Sequence, residues 1–102
     1  MMAYETGALD AAISAAAGDD PALARELYAS FVASLTGQID LLHRARCDGN
    51  WQVAARRLHG LGAIFHEEAL AKLAGEAHDG VPGDPAILRQ ITQYAEKFAL
   101  RG

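Results

Sequence analysis

Few side chains in this chain can carry covalent or ligand chemistry: four histidines (His43, His59, His66 and His78), one cysteine (Cys47), and scattered serines and carboxylates. His59 is distinguished by its surroundings, the stretch Trp51 to Ala63, which reads Trp-Gln-Val-Ala-Ala-Arg-Arg-Leu-His-Gly-Leu-Gly-Ala. At helical period Trp51, Ala54, Ala55, Leu58, Leu61 and Phe65 share one face, the pattern of a buried stripe. His59 follows Leu58 and lies about 100° around the helix from it, so it is predicted to point towards water. Arg56 and Ala63 stand one turn to either side, with Ala55 and Gly62 close by. Small groups around an imidazole suit a histidine that a partner must reach. Gly60 and Gly62 would each cost roughly 1 kcal/mol relative to alanine inside a helix, a cost that implies a need for room. The alternative is that the helix ends near Gly62 with a glycine in its C-terminal cap.

Other site chemistries find no support in the residues. His66-Glu67-Glu68 is not HExxH, and no Glu-x-x-His pair marks a carboxylate di-metal bundle. Gly60-x-Gly62 has no strand before it and no Lys-Ser/Thr after it, so neither a dinucleotide fold nor a phosphate-binding loop is supported. Ser14, Ser30 and Ser34 have no ordered His/Asp partners for nucleophilic hydrolysis. Cys47 cannot pair internally and belongs to no zinc-type cluster. His43 and His78 show no partner spacing and read as structural or surface residues; His66 reads as a helix-end or surface residue.

The elements that must position His59 are helices. The 102 residues fit a single domain, with a net charge of −4 and a pI near 5.4. Nine basic residues are scattered without a stripe, which argues against nucleic acid as a partner. No run reaches the roughly 20 apolar residues of a membrane helix, and no leader pattern opens the chain, so a cytoplasmic, soluble protein is expected. Abundant Ala, Leu, Glu and Arg favour helix throughout, and no alternating strand pattern occurs.

Five helical segments follow in order. The first spans about Gly7 to Ala17, with Leu9, Ala12, Ile13 and Ala16 on one side, and stops at Gly18-Asp19-Asp20. Asp20-Pro21 starts the second with an N-cap acid and a proline in the first turn; Leu23, Leu27, Phe31, Leu35, Ile39 and Leu42 then form a seam lasting to about Arg46, with Gly37 as the candidate kink point. Asp48-Gly49-Asn50 closes that helix and caps the third, which holds His59. The fourth covers about Glu67 to Ala77, with Leu70, Leu73 and Ala77 inward, and His78 to Gly83 form a loop. Asp84-Pro85 repeats the cap-and-proline start, and Leu88, Ile91, Ala95 and Phe98 face the core. Short loops between long amphipathic helices make neighbours antiparallel. The expected fold is all-α, an up-and-down antiparallel four-helix bundle with a short additional N-terminal helix.

With these elements in place, the chain resembles the histidine-containing phosphotransfer (HPt) domain of bacterial His-Asp phosphorelays. In that family a long apolar helix leads through a short turn into an aromatic that opens the active helix, as Asn50-Trp51 does here. Trp51, Ala54, Leu58, His59 and Leu61 match the pattern aromatic-x-x-(small or apolar)-x-x-x-(apolar)-His-x-Leu without a gap, and Phe31 fits on the preceding helix. Beyond His59, Ala69 takes the place of a family glycine, and Leu70 and Leu73 those of the apolar residues after it. The family's Lys-Gly after the leucine is Gly62-Ala63 here, which leaves room and removes a charge. A rival register places Arg56 at the phosphorylation site and His59-Gly60 at Lys-Gly, which would make a module unable to carry phosphate.

The resemblance implies a phosphocarrier rather than an enzyme, with no ATP site and no cofactor of its own. His59 would accept a phosphoryl group from a receiver-domain aspartate of a hybrid kinase and pass it to a response regulator. The receiver would supply the aspartate, the Mg²⁺ and a lysine. Arg56 would partly replace the missing lysine charge, with Arg57 farther round. The docking surface is expected to comprise Arg56, Gly60, Gly62 and Ala63 together with the facing side of the second helix, on a monomeric, free-standing domain. The alternative is a non-phosphorylatable helical adaptor that binds a receiver or kinase without carrying phosphate.

Overall fold

The computed structural model describes residues 7–99. Within them the chain is all-helical, with α1 (Gly7–Ala17), α2 (Pro21–Arg44), α3 (Asp48–Ile64), α4 (Glu68–Asp79) and α5 (Pro85–Ala99). No helix among the described residues is long and apolar enough to cross a membrane. The two Asp-Pro starts fold as local chemistry dictates. Asp20 is extended and its side chain accepts the Leu23 N–H at 3.1 Å, while Asp84 accepts the Ala86 N–H at 2.9 Å. Each satisfies a donor that the first helical turn leaves unpaired. α2 passes through Gly37 without a break and ends at Arg44, two residues earlier than its pattern implies.

The start of α3 differs from the sequence expectation. Asp48, Gly49 and Asn50 lie inside the helix, and the cap is Cys47, whose Sγ accepts the Asn50 N–H at 3.4 Å. Asp48 thereby sits in the first turn, where its charge favours the helix dipole. The end of α3 also differs. The helix does not stop at Gly62; it runs to Ile64, and His66 takes the left-handed conformation with φ of 59°. The Glu67 N–H then bonds the Gly62 carbonyl at 2.8 Å and the His66 N–H that of Ala63 at 3.4 Å. This is the paired closure of a Schellman motif with histidine in the position usually given to glycine. The helix-end role expected of His66 is thus what the fold shows.

Packing pairs α2 with α3, α3 with α4, α4 with α5, and α5 back with α2, while α1 lies against α2. Side-chain contacts give the directions. Tyr28 near the start of α2 reaches the Phe98 carbonyl near the end of α5, and His43 near the end of α2 meets Thr92 at 3.2 Å. Trp51 at the start of α3 donates its indole N–H to the Ala77 carbonyl late in α4 at 2.8 Å. The centre holds Phe31, Leu35, Leu42, Trp51, Leu58, Leu70, Ile91 and Phe98, all essentially shielded from solvent. Phe31 stands edge-on to Phe65 and Phe98, with ring centroids 5.0 Å and 5.3 Å apart. In α4, Ala74 is buried where the pattern pointed to Leu73, which is half-buried.

The buried stripe of α3 is Trp51, Ala54, Ala55, Leu58 and Gly62; Leu61 and Phe65 are half-buried at its edge. Gly62 explains the shift. A Cβ placed there would lie 2.7 Å from the Ala71 amide nitrogen and 3.0 Å from the Glu67 carbonyl oxygen. The α4 backbone therefore approaches α3 at a distance that only glycine permits.

Candidate functional site

His59 is exposed on α3, five residues before its end, as its place beside Leu58 requires. Its ring lies along α4. A Cβ added at Gly75 would stand 3.9 Å from the His59 Cδ2, ordinary contact distance. Gly75 therefore gives the imidazole a floor of bare helix backbone, with no side chain to cover the ring. Around this point Arg56, His59 and Gly60 of α3 and Gly75, His78 and Asp79 of α4 line an open cleft of about 340 Å³.

The sequence-derived site residues fall on different sides of this arrangement. Arg56, one turn before His59 and exposed, lines the cleft. Gly60 lines it as well, and a Cβ there would meet nothing within 4 Å. Ala63 is exposed one turn beyond His59, outside the cleft lining. Gly62 corrects the expectation: it is buried against α4, so the space it provides is filled by the protein's own backbone rather than by a partner. The second helix is likewise on another flank. Its end, with Leu41, Arg44 and Ala45, forms a separate cleft with Asn50, Val53, Ala54 and Arg57, so consecutive Arg56 and Arg57, about 100° apart on α3, line different clefts. His66 lies away from His59, beside Ile64 and the alanines of α1.

Sequence reasoning missed Gly75, His78 and Asp79. His78 belongs to the last turn of α4, not to a loop, because that helix continues to Asp79. It follows Gly75 by three residues, the spacing of neighbours on one helix face. Its Nδ1 is 3.1 Å from Asp79 Oδ1, which engages one of its two ring nitrogens. The spacing was visible in the sequence; the pairing of α4 with α3 that gives it meaning was not.

A second polar constellation lies in the interior. Glu67, 4% exposed, receives a hydrogen bond from the Tyr94 hydroxyl of α5. Burial, and then the hydrogen bond and negative charge of Glu67, hold the Tyr94 phenol far above its ordinary range. Lys97 lies over the Tyr94 ring, 4.5 Å from its centroid. Closed to solvent, this pair fastens α5 to the head of α4.

Among the described residues no group of three or more His, Cys, Asp or Glu side chains is placed to hold a metal ion. What the α3–α4 cleft offers is an accessible imidazole nucleophile, a guanidinium beside it, a second imidazole opposite, and a glycine-lined approach. Such a set can receive an oxyanion and accept its electrophilic atom. Compared with known protein families, curated proteins and solved structures, the chain matches none.

Proposed function

We propose that this protein is a phosphocarrier of the HPt kind, with α2 to α5 as an up-and-down four-helix bundle, α1 as an added helix, and His59 as the acceptor. The observation that carries the reading is the exposed His59 imidazole in mid-bundle, bare on its α4 side because of Gly75, with Arg56 one turn away. A lone-pair nitrogen of His59 attacks the phosphorus of an aspartyl phosphate on a receiver domain. The N–P bond forms as the acyl O–P bond breaks, the aspartate leaves as carboxylate, and the other ring nitrogen keeps its proton, giving a phosphorylated imidazolium. Attack by a second receiver's aspartate reverses the step. Positioning and charge neutralisation supply most of the catalysis in such transfers, so a carrier needs neither an ATP site nor a cofactor. Receiver domains in the cytoplasm are the partners on this reading.

One observation favours the adaptor reading. In the register with His59 as acceptor, the family's lysine position is Gly62, which is buried. In the rival register, Arg56, His59 and Gly60 hold the His, Lys and Gly places, and all three line the cleft.

One substitution separates the two. With a phosphorylated receiver as donor, the wild type should gain an acid-labile, base-stable label that His59→Gln does not gain, while the melting temperature stays close to wild type because the position is exposed. A label that persists in His59→Gln, or a wild type that never labels across a panel of receivers, eliminates the carrier reading.

A further inference from the structure

We propose, resting on His59 as the phosphoryl carrier, that His78 and Asp79 of α4 form the second half of the phosphoryl site, with His78 a positioning residue that donates from Nε2 to a phosphoryl oxygen on His59. His78 and His59 line the same cleft from facing helices. Gly75, three residues before His78, is the point on α4 where the His59 ring rests. The helix pairing thus places His78 one turn along α4 from the His59 ring, and Trp51 with Ala77 fixes that register through the 2.8 Å indole hydrogen bond.

Charge gives the arrangement its logic. A phosphoryl group on His59 brings about two negative charges. The titratable side chains lining the cleft are Arg56 and His59 from α3 and His78 and Asp79 from α4. The α3 position that would extend a further cation, 62, is a buried glycine. The imidazolium ring and Arg56 balance the phosphoryl charge in number, but the three phosphoryl oxygens accept more hydrogen bonds than Arg56 can supply, and His78 is the remaining cleft side chain that can become a cationic donor. With Asp79 accepting from Nδ1–H at 3.1 Å, a donor on Nε2 requires the doubly protonated ring, so on this proposal a proton from the buffer's acid form accompanies the arrival of the phosphoryl group. The imidazolium then donates on one side to Asp79 and on the other to a phosphoryl oxygen. Charge-assisted hydrogen bonds of this type are stronger than neutral ones.

The test uses the whole chain labelled with ¹⁵N-histidine and potassium phosphoramidate as a small-molecule phosphoryl donor. On phosphorylation of His59, the ring nitrogens of His78 should move to the resonances of an imidazolium carrying two N–H groups, and in His59→Gln they should stay in place. His78→Leu should slow the labelling of His59 by about tenfold, the scale set by one charged hydrogen bond. His78→Lys should restore most of the rate, whereas a merely structural role for His78 would not be rescued by a cation. Labelling of His59 with His78 resonances unmoved, or at the wild-type rate in a folded His78→Leu variant, overturns the assignment and leaves the carrier reading standing. Absence of label on His59 from both phosphoramidate and phosphorylated receivers overturns the two together.

Discussion

The Tyr94 hydroxyl donates to the Glu67 carboxylate across the junction of α5 and α4, and Glu67 is the one buried charged side chain among the described residues. Tyr94→Phe removes this donor and leaves the carboxylate without it in a site shut off from water. A loss of about 1–3 kcal/mol is expected, seen as a lower denaturant midpoint. A Tyr94→Phe protein as stable as the wild type would mean that the pair contributes nothing.

The same pair sets a pH dependence. The folded phenol is held far above the ordinary tyrosine value of about 10. In the unfolded chain Tyr94 loses its proton near pH 10, while in the folded protein it keeps it. Above that pH the unfolded state binds fewer protons and stability falls with rising pH; below it this contribution is fully present. Denaturation curves between pH 9 and 11 should show the decline in the wild type and a shallower one in Tyr94→Phe. Equal slopes would contradict the assignment.

Two glycines separated by one residue should respond oppositely to alanine. Gly60→Ala adds a Cβ that meets nothing within 4 Å and gains roughly 0.5–1 kcal/mol of helix preference. Gly62→Ala drives the same atom to 2.7 Å from the Ala71 nitrogen, where overpacking costs typically about 1–3 kcal/mol. Melting temperatures should therefore rise for the first variant and fall for the second. A rise for both would show that α3 and α4 can separate at no cost.

His66 holds a left-handed backbone at φ of 59°, a region that penalises residues bearing a Cβ by about 1–2 kcal/mol. His66→Gly relieves that penalty, and the greater freedom of glycine in the unfolded chain takes back part of it. A net gain of about 0.5–1 kcal/mol is expected from chemical denaturation, and a loss would indicate that the imidazole makes a contact worth more than the strain.

Enlarging Gly75 probes the cleft directly. Gly75→Leu extends a side chain over the point where the His59 ring rests, 3.9 Å from the position of the first added carbon. On the proposed phosphocarrier reading, phosphotransfer to His59 should drop by about tenfold or more, the scale of a misplaced reacting group, with stability preserved or raised because glycine is removed from a helix. Ala63→Trp, exposed and outside the cleft lining, should also block transfer by clash with the docking receiver while hardly changing the melting temperature, and a normal rate in that variant would remove Ala63 from the docking surface. An unchanged transfer rate in Gly75→Leu would place the reacting surface elsewhere.

What could be read from the sequence was what neighbouring residues decide. Asp20-Pro21 and Asp84-Pro85 start helices through their own backbone geometry, and the seam of Phe31, Leu35, Ile39 and Leu42 is fixed by helical period. His59 was placed outward by its one-residue offset from Leu58, and it is exposed. The purpose of Gly62 was not legible, because it depends on how closely the α4 backbone at Ala71 passes, which the residues around Gly62 in sequence do not decide. Cys47 was missed as a cap because sulfur is an uncommon acceptor there, and Asp48-Gly49-Asn50 offered a more familiar one. Glu67 lies beside Glu68 in sequence, yet only Glu67 is buried; its partner is 27 residues away. Residues whose roles depend on interhelical register, Gly75, His78 and Tyr94 among them, acquire those roles only once the helices are paired.

Among the described residues α1 has its backbone neighbours in other helices on α2 alone, and it is anchored by Leu9, Ile13 and Ala17. Its amide protons should therefore exchange with deuterium through an opening that leaves α2 to α5 closed, well before those of Leu58 or Ile91, whose release requires the whole core to open.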